Sequence, residues 1–200
     1  MDRYARRVAD TRARIVAVAT DLFLHEGYGR VTMDCVLAEV GGSKRTLYRH
    51  FPTKEDLFTA IVTNVSDRVL AALEPASDDD VRTALTDMGR RYLTVLLSPE
   101  GLSLYRAMVS EAPHFPELSK AFFRDGPGRA SLYLSRFIRE QVEKGVLDVT
   151  DAKVAASQFL GAVRGDIHLS AVLSSRQPTK PAIRRAVEQA VDTFLAGASA

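Results

Sequence analysis

Apolar residues recur at intervals of three and four along most of the chain, a spacing that predicts amphipathic α-helices rather than strands. The first such run covers residues 10–26 and ends at Gly27. Beyond residue 62 no strand-like alternation persists, and prolines, glycines and capping residues mark helix ends instead. The pattern therefore predicts an all-α protein of about nine helices.

Residues 32–51 predict two short helices joined by a glycine turn. Thr32 precedes the first helix, where its hydroxyl can accept from the unpaired amides of the first turn. The pair at 41–42 ends that helix, because glycine adopts positive φ angles without steric cost. Ser43 then caps the second helix, so the segment reads as a helix-turn-helix.

The second helix buries one side, formed by Leu47 and Phe51 at i and i+4. The side chains that remain are cations, a hydroxyl and a phenol, at Lys44, Arg45, Thr46, Tyr48, Arg49 and His50. Such groups donate to phosphate oxygens, and Arg or Lys also donate to the guanine edge. A merely solvated basic face is the alternative, but the turn, the Ser43 cap and the Tyr48 phenol together favour a DNA-reading surface.

A fourth helix begins after Thr53 and carries Lys54 in its first turn. A cation at this end opposes the helix dipole, and a phosphate bound there would reverse that effect. Lys54 is therefore a candidate phosphate contact, with a freely solvated side chain as the alternative.

Residues 10–62 resemble the DNA-binding domain of TetR-type transcriptional regulators. The shared features are the helix ending at Gly27-Tyr28, Thr32, the Gly-x-Ser turn at 41–43, and Lys44-x-Thr-Leu-Tyr-x-His-Phe-Pro-x-Lys-Glu, which runs to Glu55. The resemblance implies an all-helical homodimer with this domain on DNA and a carboxyl-terminal domain that binds a small effector.

The family pattern places Lys44, Arg45, Thr46, Tyr48, Arg49 and His50 toward DNA, and Ser43, which caps the helix, is also a candidate DNA-binding residue. It places Thr32 and Lys54 toward phosphates. The chain departs from the family at Gly42, usually Val, and at Leu37, often Ala. We expect Leu37 to fill part of the space that the missing Val leaves.

The chain carries a net charge of +2, unevenly distributed. Residues 1–54 contain ten basic and six acidic side chains, a net +4, which leaves −2 for the remainder. A basic amino-terminal unit on a slightly acidic body is typical of a two-part DNA-binding protein. The arginines at 3, 6, 7, 12 and 14 form either a mobile arm that reaches DNA or a merely soluble tail.

Bulk properties limit the remaining possibilities. No apolar stretch matches a membrane span and the basic amino terminus lacks a secretory apolar core, so we expect a cytoplasmic protein without a membrane partner. Cys35 has no second cysteine to pair with. It is predicted to be a small core residue, with redox sensing as the alternative.

Helix punctuation divides the rest of the chain. Ser77 with Asp80 predicts a fifth helix, Ser98-Pro99 a sixth and Pro116 a seventh, which Gly126-Pro127-Gly128 interrupts or divides in two. Two long helices follow. We predict a helix-turn-helix domain at 1–54, extended by a linking helix at 54–74, and an effector-binding and dimerisation domain at 75–200.

The middle helices suggest a ligand pocket. The predicted polar groups of this pocket are Arg164 and His168. Aromatic residues and a methionine are predicted to line it: Tyr105, Met108, Phe115, Phe122, Phe123, Tyr133 and Phe137. Ordinary core packing is the alternative for each of them. The segment from Leu104 to Leu118 also resembles the effector domain of the AefR-like TetR subgroup.

The last two helices predict a dimer interface. Small and apolar residues there allow close approach, and the candidates are Ala156, Phe159, Val163, Val187, Val191 and Phe194. An intramolecular seam is the alternative, and both roles are compatible. A symmetric dimer suits a DNA reader, because two palindromic half-sites mirror protein symmetry.

The sequence bears on three classes of function. The first is a repressor released from its double-stranded operator by a small, largely apolar effector. An enzyme is disfavoured, because His25-Glu26 lacks a second metalloprotease His and neither paired cysteines nor a nucleophile elbow occurs. We therefore predict no catalytic residue, metal or cofactor. A helical interaction module without DNA binding is disfavoured by Lys44, Tyr48 and His50.

Overall fold

The computed structural model describes residues 3–75, 80–174 and 177–198. The α-helices in these ranges are, in chain order, α1 (Arg3–Glu26), α2 (Met33–Val40), α3 (Lys44–His50), α4 (Lys54–Ala72), α5 (Val81–Leu96), α6 (Pro99–Glu111), α7 (Pro116–Phe123), α8 (Arg129–Glu143), α9 (Ala152–Leu173) and α10 (Lys180–Ala198). No β-strand occurs in the described ranges, which confirms the predicted all-α class. A π-helical turn, Arg124–Gly128, divides the predicted seventh helix into α7 and α8.

Two compact units make up the chain. Unit 1 comprises Met1–Asn64 and Ser103–Asp125, and unit 2 comprises Val65–Leu102 and Gly126–Ala200. The divisions fall inside α4, inside α6 and within the π-helical turn. Unit 1 thus contains the end of α6 and all of α7 beside the predicted DNA-binding segment.

An aromatic cluster centres unit 1 on Tyr28, which is fully buried. Its ring meets Phe23 and Phe58 edge to face at 5.3 Å between centroids, and Phe115 at 5.1 Å. Edge-to-face pairs bring the positive ring edge onto the negative face of a neighbour. The loop between α1 and α2 is thereby anchored to α4 and to the start of α7.

The core of unit 2 forms where α5, α8, α9 and α10 bury their apolar stripes. On α5 the period of three and four places Leu85, Met88 and Leu93 in this core with no exposed surface. Gly89 lies on the same helix, and a Cβ there would stand only 3.0 Å from Val187 Cγ1. Glycine at this position therefore permits the close approach of α5 to α10.

Side-chain caps begin several helices where the sequence predicts them. Asp80 Oδ1 accepts from the amides of Arg82 at 3.0 Å and Thr83 at 3.1 Å, which starts α5; Ser77 lies outside the described residues. Thr53 Oγ1 accepts from the Asp56 amide at 3.0 Å, while Asp56 Oδ2 accepts from the Thr53 amide at 3.1 Å. This reciprocal pair satisfies two of the unpaired amides at the start of α4.

The predicted dimer-interface residues lie inside the folded chain. Five of them are at most 1% exposed: Ala156, Phe159, Val163, Val187 and Val191. Phe194 is partly buried, and its ring packs on Phe159 at 5.3 Å. The stripe is therefore used in packing α9 against α10 and α5, while Phe159 and Phe194 also line a groove between α9 and α10, so a dimer role for this set stays a prediction. The intramolecular seam is the observed arrangement.

The buried face of α8 provides a matched test of the unit 2 core. Leu134 is fully buried, whereas Leu132 on the same helix is 48% exposed. We expect Leu134→Ala to lower the free energy of unfolding by about 2–5 kcal/mol, since it leaves a cavity in packed surroundings. Leu132→Ala should change it by about 0.5 kcal/mol or less. Urea unfolding at one fixed protein concentration measures both, and equal losses would contradict the assigned core.

Candidate nucleic-acid interface

Hydrogen bonds at both ends of α2 set the geometry of the helix-turn-helix. Thr32 Oγ1 accepts from the Cys35 amide at 3.2 Å, as predicted for its cap, and the Gly41 amide donates to Leu37 O at 2.8 Å. Gly41 and Gly42 then take φ angles of 73° and 95°. A branched side chain at 42 would be strained at that φ, which accounts for the departure from Val.

The expectation that Leu37 fills the space beside this turn is wrong. Leu37 is only half-buried, and no atom lies within 4 Å of a Cβ built on Gly42. The turn faces open surroundings, so there is no vacated core position for Leu37 to occupy.

Helix α3 is fixed by its cap and by one buried side. Ser43 Oγ accepts from the Thr46 amide at 3.1 Å and lies 2.9 Å from the Thr46 hydroxyl. Leu47 and Phe51 are each 2% exposed. The opposite side of the helix is consequently turned outward, where Lys44, Arg45, Tyr48 and Arg49 are exposed and Thr46 is half-buried.

Lys44 has a partner that DNA can replace. Its Nζ lies 2.9 Å from Asp34 Oδ1 and 5.8 Å from the Tyr48 ring centroid. The hydrogen bond and charge of Asp34 raise the pKa of Lys44, so the side chain is a cation. Both ends of the ion pair are exposed, and such pairs contribute little to stability. A phosphate can therefore take over the Lys44 ammonium at small cost.

His50 differs from its exposed neighbours because it is half-buried beside Phe51. Burial lowers its pKa, and the positive charges of Arg49 and Arg12 lower it further. Its Nε2 is enclosed and has no hydrogen-bond partner among the described residues. The imidazole is consequently neutral near pH 7 and offers one ring N–H rather than a charge.

Two of the arginines considered for a mobile arm instead support the DNA reader, which is the helix-turn-helix formed by α2 and α3. Helix α1 begins at Arg3, and the side chains of Arg3, Arg6 and Arg7 lie outside the described residues. Arg14 Nη2 donates to Val40 O at 3.0 Å, and the Arg12 guanidinium stands 5.0 Å from the Phe51 ring centroid. Helix α1 thus holds the end of α2 and the end of α3.

Lys54 turns inward rather than into solvent. Its Nζ donates to Tyr28 O at 2.9 Å and to Val31 O at 3.0 Å, and lies 4.2 Å from the Tyr28 ring centroid. Burial lowers the pKa of Lys54, while the charges of Glu55 and Glu111 oppose that shift. The alternative of a freely solvated side chain is wrong. Two of its three N–H groups are engaged inside unit 1, which leaves one for a phosphate.

Glu111 at the end of α6 completes this arrangement through a contact that the sequence did not predict. Its Oε1 accepts from the Gly29 amide at 3.1 Å, and Tyr28 Oη donates to Glu55 Oε1 at 3.2 Å. The Glu111 contact joins residues 82 positions apart, so no local pattern could have indicated it. The loop between α1 and α2 is thereby held by side chains from α4 and α6.

Cys35 is exposed, so its prediction as a core residue is wrong. Helix α2 buries Met33 and Val36, and this leaves position 35 on the outward side. The Thr32 hydroxyl donates to Cys35 Sγ at 3.1 Å, and this bond lowers the pKa of the thiol.

The predicted pocket residues are divided between the units. Tyr105, Met108, Phe115, Phe122 and Phe123 belong to unit 1, where Met108 is buried and Phe123 is 68% exposed. Tyr133, Phe137, Arg164 and His168 belong to unit 2.

Within unit 2 the predicted polar groups are enclosed near a break in α9. Gly165 leaves helical geometry with φ 38° and ψ −153°, and His168 is buried one turn later. Arg164 Nε is enclosed without a hydrogen-bond partner in the described ranges. Burial raises the pKa of Tyr92 on α5 to about 12, and the positive charge of Arg164 acts in the opposite direction.

None of the helices in the described ranges is both long enough and apolar enough to cross a bilayer.

Two family matches cover most of the chain. The family described as bacterial regulatory proteins, tetR family, matches residues 15–61, and the AefR-like transcriptional repressor C-terminal domain matches residues 83–197.

Solved structures share this fold over nearly their whole length. A TetR-family transcriptional regulator from Mesorhizobium loti is 26% identical with a TM-score of 0.85, covering 97% of this chain and 99% of that one. The flavonoid-responsive regulator FrrA is 30% identical with a TM-score of 0.82, covering 96% and 98%.

Among sequence relatives, the nucleoid occlusion factor SlmA of Vibrio campbellii is 25% identical, over 76% of this chain and 79% of that protein. The HTH-type transcriptional regulator TcmR of Streptomyces glaucescens is 32% identical over 38% of this chain and 35% of its own length. With an outward basic α3 and both family matches in place, the chain belongs to the TetR family of transcriptional regulators and carries a carboxyl-terminal domain of the AefR-like type.

Proposed function

We propose that this regulator is a repressor that binds a palindromic or pseudo-palindromic operator as a homodimer and leaves it when a small, largely apolar effector binds. The observation that carries the proposal is the outward side of α3, where Lys44, Arg45, Tyr48 and Arg49 stand exposed on a helix whose other side is buried. Such a surface fits the major groove, which admits an α-helix.

The exposed groups divide by their chemistry into two roles. Arg45 donates to base edges, since its planar fork matches the O6 and N7 acceptors of guanine. The Tyr48 phenol donates to a phosphate, and the Thr32 hydroxyl does so when its single O–H turns from Cys35 Sγ to DNA. Such contacts fix register but carry no sequence information. Lys44 moves from Asp34 to DNA.

Dimerisation is typical of this family, and the exposed side of α9 and α10 supports it here. A groove of about 230 Å³ runs between these helices, with small or uncharged exposed residues at Gln158, Ala162, Thr193 and Gly197. Val154, Leu169 and Leu173 are also exposed on α9. A second copy packing there would cover this surface, and stable dimers of this kind bury about 2,000 Å² or more.

The effector contacts assigned to unit 2 are Tyr133, Phe137, Arg164 and His168. The enclosed Arg164 Nε supports this assignment, because a buried N–H without a partner is costly and a ligand acceptor would satisfy it. An aromatic effector with a polar group fits these side chains, and the flavonoid response of FrrA, which is 30% identical, agrees with that class.

Release from the operator then requires that a conformational change in unit 2 alters the position of α3. Helices α4 and α6 each contribute residues to both units, and their unit 1 parts carry Lys54 and Glu111. Both side chains hold the loop between α1 and α2. The proposed release involves two conformations that differ in the path of α4 and α6. An effector that binds one of them more tightly would shift the population toward a dimer whose two α3 helices no longer match the half-sites.

Salt-titrated binding to the DNA upstream of the gene tests the reader surface. We expect affinity to fall steeply with salt while preference over a random duplex of equal length persists. Arg45→Ala should cost about 1–3 kcal/mol on the specific duplex and much less on the random one. Tyr48→Phe should weaken both alike, by about 0.5–1.5 kcal/mol.

The exposed Arg139 on α8 supplies the control for lost charge, and Arg139→Ala should leave both affinities unchanged. If Arg45→Ala weakens the specific and random duplexes equally, Arg45 is not a base reader. If no duplex is preferred at any salt concentration, the operator-binding proposal fails.

The dimer surface has its own test. Ala162→Arg places a charge in the groove between α9 and α10, so we expect the variant to sediment as a monomer at micromolar concentration while the unmodified chain is a dimer. Ser157→Arg, on an exposed residue of α9 outside the groove, should remain dimeric. A monomeric unmodified chain, or an Ala162→Arg dimer of undiminished affinity, would refute this surface.

A further inference from the structure

Unit 2 contains an open groove that shares no lining residue with the reader or with the residues assigned to the effector. Its volume is about 730 Å³, within the range of about 300–1,000 Å³ that is usual for small-molecule sites. Residues from the second half of α4, the second half of α5 and the first turns of α10 line it, and all of them belong to unit 2.

Five cations line this groove: Arg68, Arg90, Arg91, Lys180 and Arg184. Among its described lining residues there is no carboxylate.

Acidic partners stand outside the groove and compensate only part of this charge. Asp87 is shared, with its oxygens 2.5 Å from Arg90 Nη2 and 3.0 Å from Arg91 Nε. Glu100 and Glu188 lie at 3.9 Å from Arg68 and Arg184, too far for a hydrogen bond. Like charges are therefore gathered around one concave surface, which favours an anion there.

Apolar side chains share the groove with these cations. Ala71, Ala72, Val95, Pro181 and Ile183 contribute to the lining. Ala72 is buried, whereas Ala71 is exposed and so accessible to a bound molecule. A simple inorganic anion would leave this apolar surface in water, and a neutral hydrocarbon would leave the cations uncompensated.

We propose that the groove is a binding site for a small amphipathic anion, with its acidic head at the arginines and Lys180 and its apolar body against Ala71 and Ile183. Such a ligand matches both parts of the lining at once, and the volume suits a small molecule. Binding would tie α4 to α5 and α10 within unit 2 and stabilise the folded chain by mass action.

Titration calorimetry on the full-length protein without DNA tests the site, using decanoate, decan-1-ol and inorganic phosphate. We expect decanoate to bind, and the alcohol and phosphate to bind weaker by about ten-fold or more, because each satisfies only one part of the groove. The double variant Lys180→Ala with Arg184→Ala should lose about ten-fold or more in decanoate affinity.

Controls separate charge from fold. The double variant Lys144→Ala with Arg185→Ala removes the same residue types at exposed positions outside the groove, and it should bind decanoate like the unmodified chain. Lys180→Arg with Arg184→Lys keeps the charge and should retain binding. Ala71→Trp, which fills the apolar part from an exposed position, should abolish it.

The proposal is overturned if decanoate gives no binding, if decan-1-ol binds equally well, or if the Lys180 and Arg184 double variant is unaffected. It is also overturned if that variant loses affinity for random duplex DNA but not for decanoate, which would assign the cations to nucleic acid. Because the measurement contains no operator, its failure would leave the repressor proposal untouched.

Discussion

The DNA reader depends on the hydrogen bonds that the Lys54 ammonium donates to the loop between α1 and α2. The loop between α1 and α2 turns carbonyls of Tyr28 and Val31 into unit 1, and buried carbonyls need donors. Lys54 supplies both hydrogen bonds from the first turn of α4. The same loop sets where α2 begins. Through this one side chain, the position of α4 therefore affects the positions of α2 and α3.

Acidic groups make an inward cation at this place tolerable. Alone at the start of a helix, a lysine is unfavourable because the dipole is positive there. Here Glu55 and Glu111 favour the charged form of Lys54, and Asp56 caps the same helix. Glu111 also binds the Gly29 amide, so the end of α6 and the start of α4 hold one short loop together. A small shift of α4 or α6 would therefore change the position of α2, which carries Cys35 and precedes α3.

Local chemistry explains what the sequence could predict. Caps, the glycine turn and the period of three and four act within a few residues, and for that reason Thr32, Ser43, Asp80 and the outward side of α3 are found where their pattern indicates. The family resemblance has the same basis, since its features lie in one continuous segment. The all-α class follows from these local signals as well.

Long-range packing set what the sequence could not predict. The stripe containing Phe159 and Val187 has the composition of an interface, and only the fold shows that α5, α9 and α10 already bury most of it among themselves. Lys54 has the charge of a phosphate contact, but its carbonyl partners lie more than twenty positions away. Cys35 has the character of a core residue, yet an eight-residue helix has room to bury only Met33 and Val36.

The Cys35 thiol is exposed on α2 beside Thr32, so its reactivity tests directly whether this helix-turn-helix docks on DNA. The rate of alkylation by iodoacetamide can be followed by mass spectrometry for the unmodified chain, alone and with saturating amounts of the duplex it selects. If the helix-turn-helix docks there, we expect rapid alkylation of the free protein and clear protection on that duplex, with Cys35→Ser unlabelled. An alkylation rate that is the same with and without the saturating duplex would contradict docking.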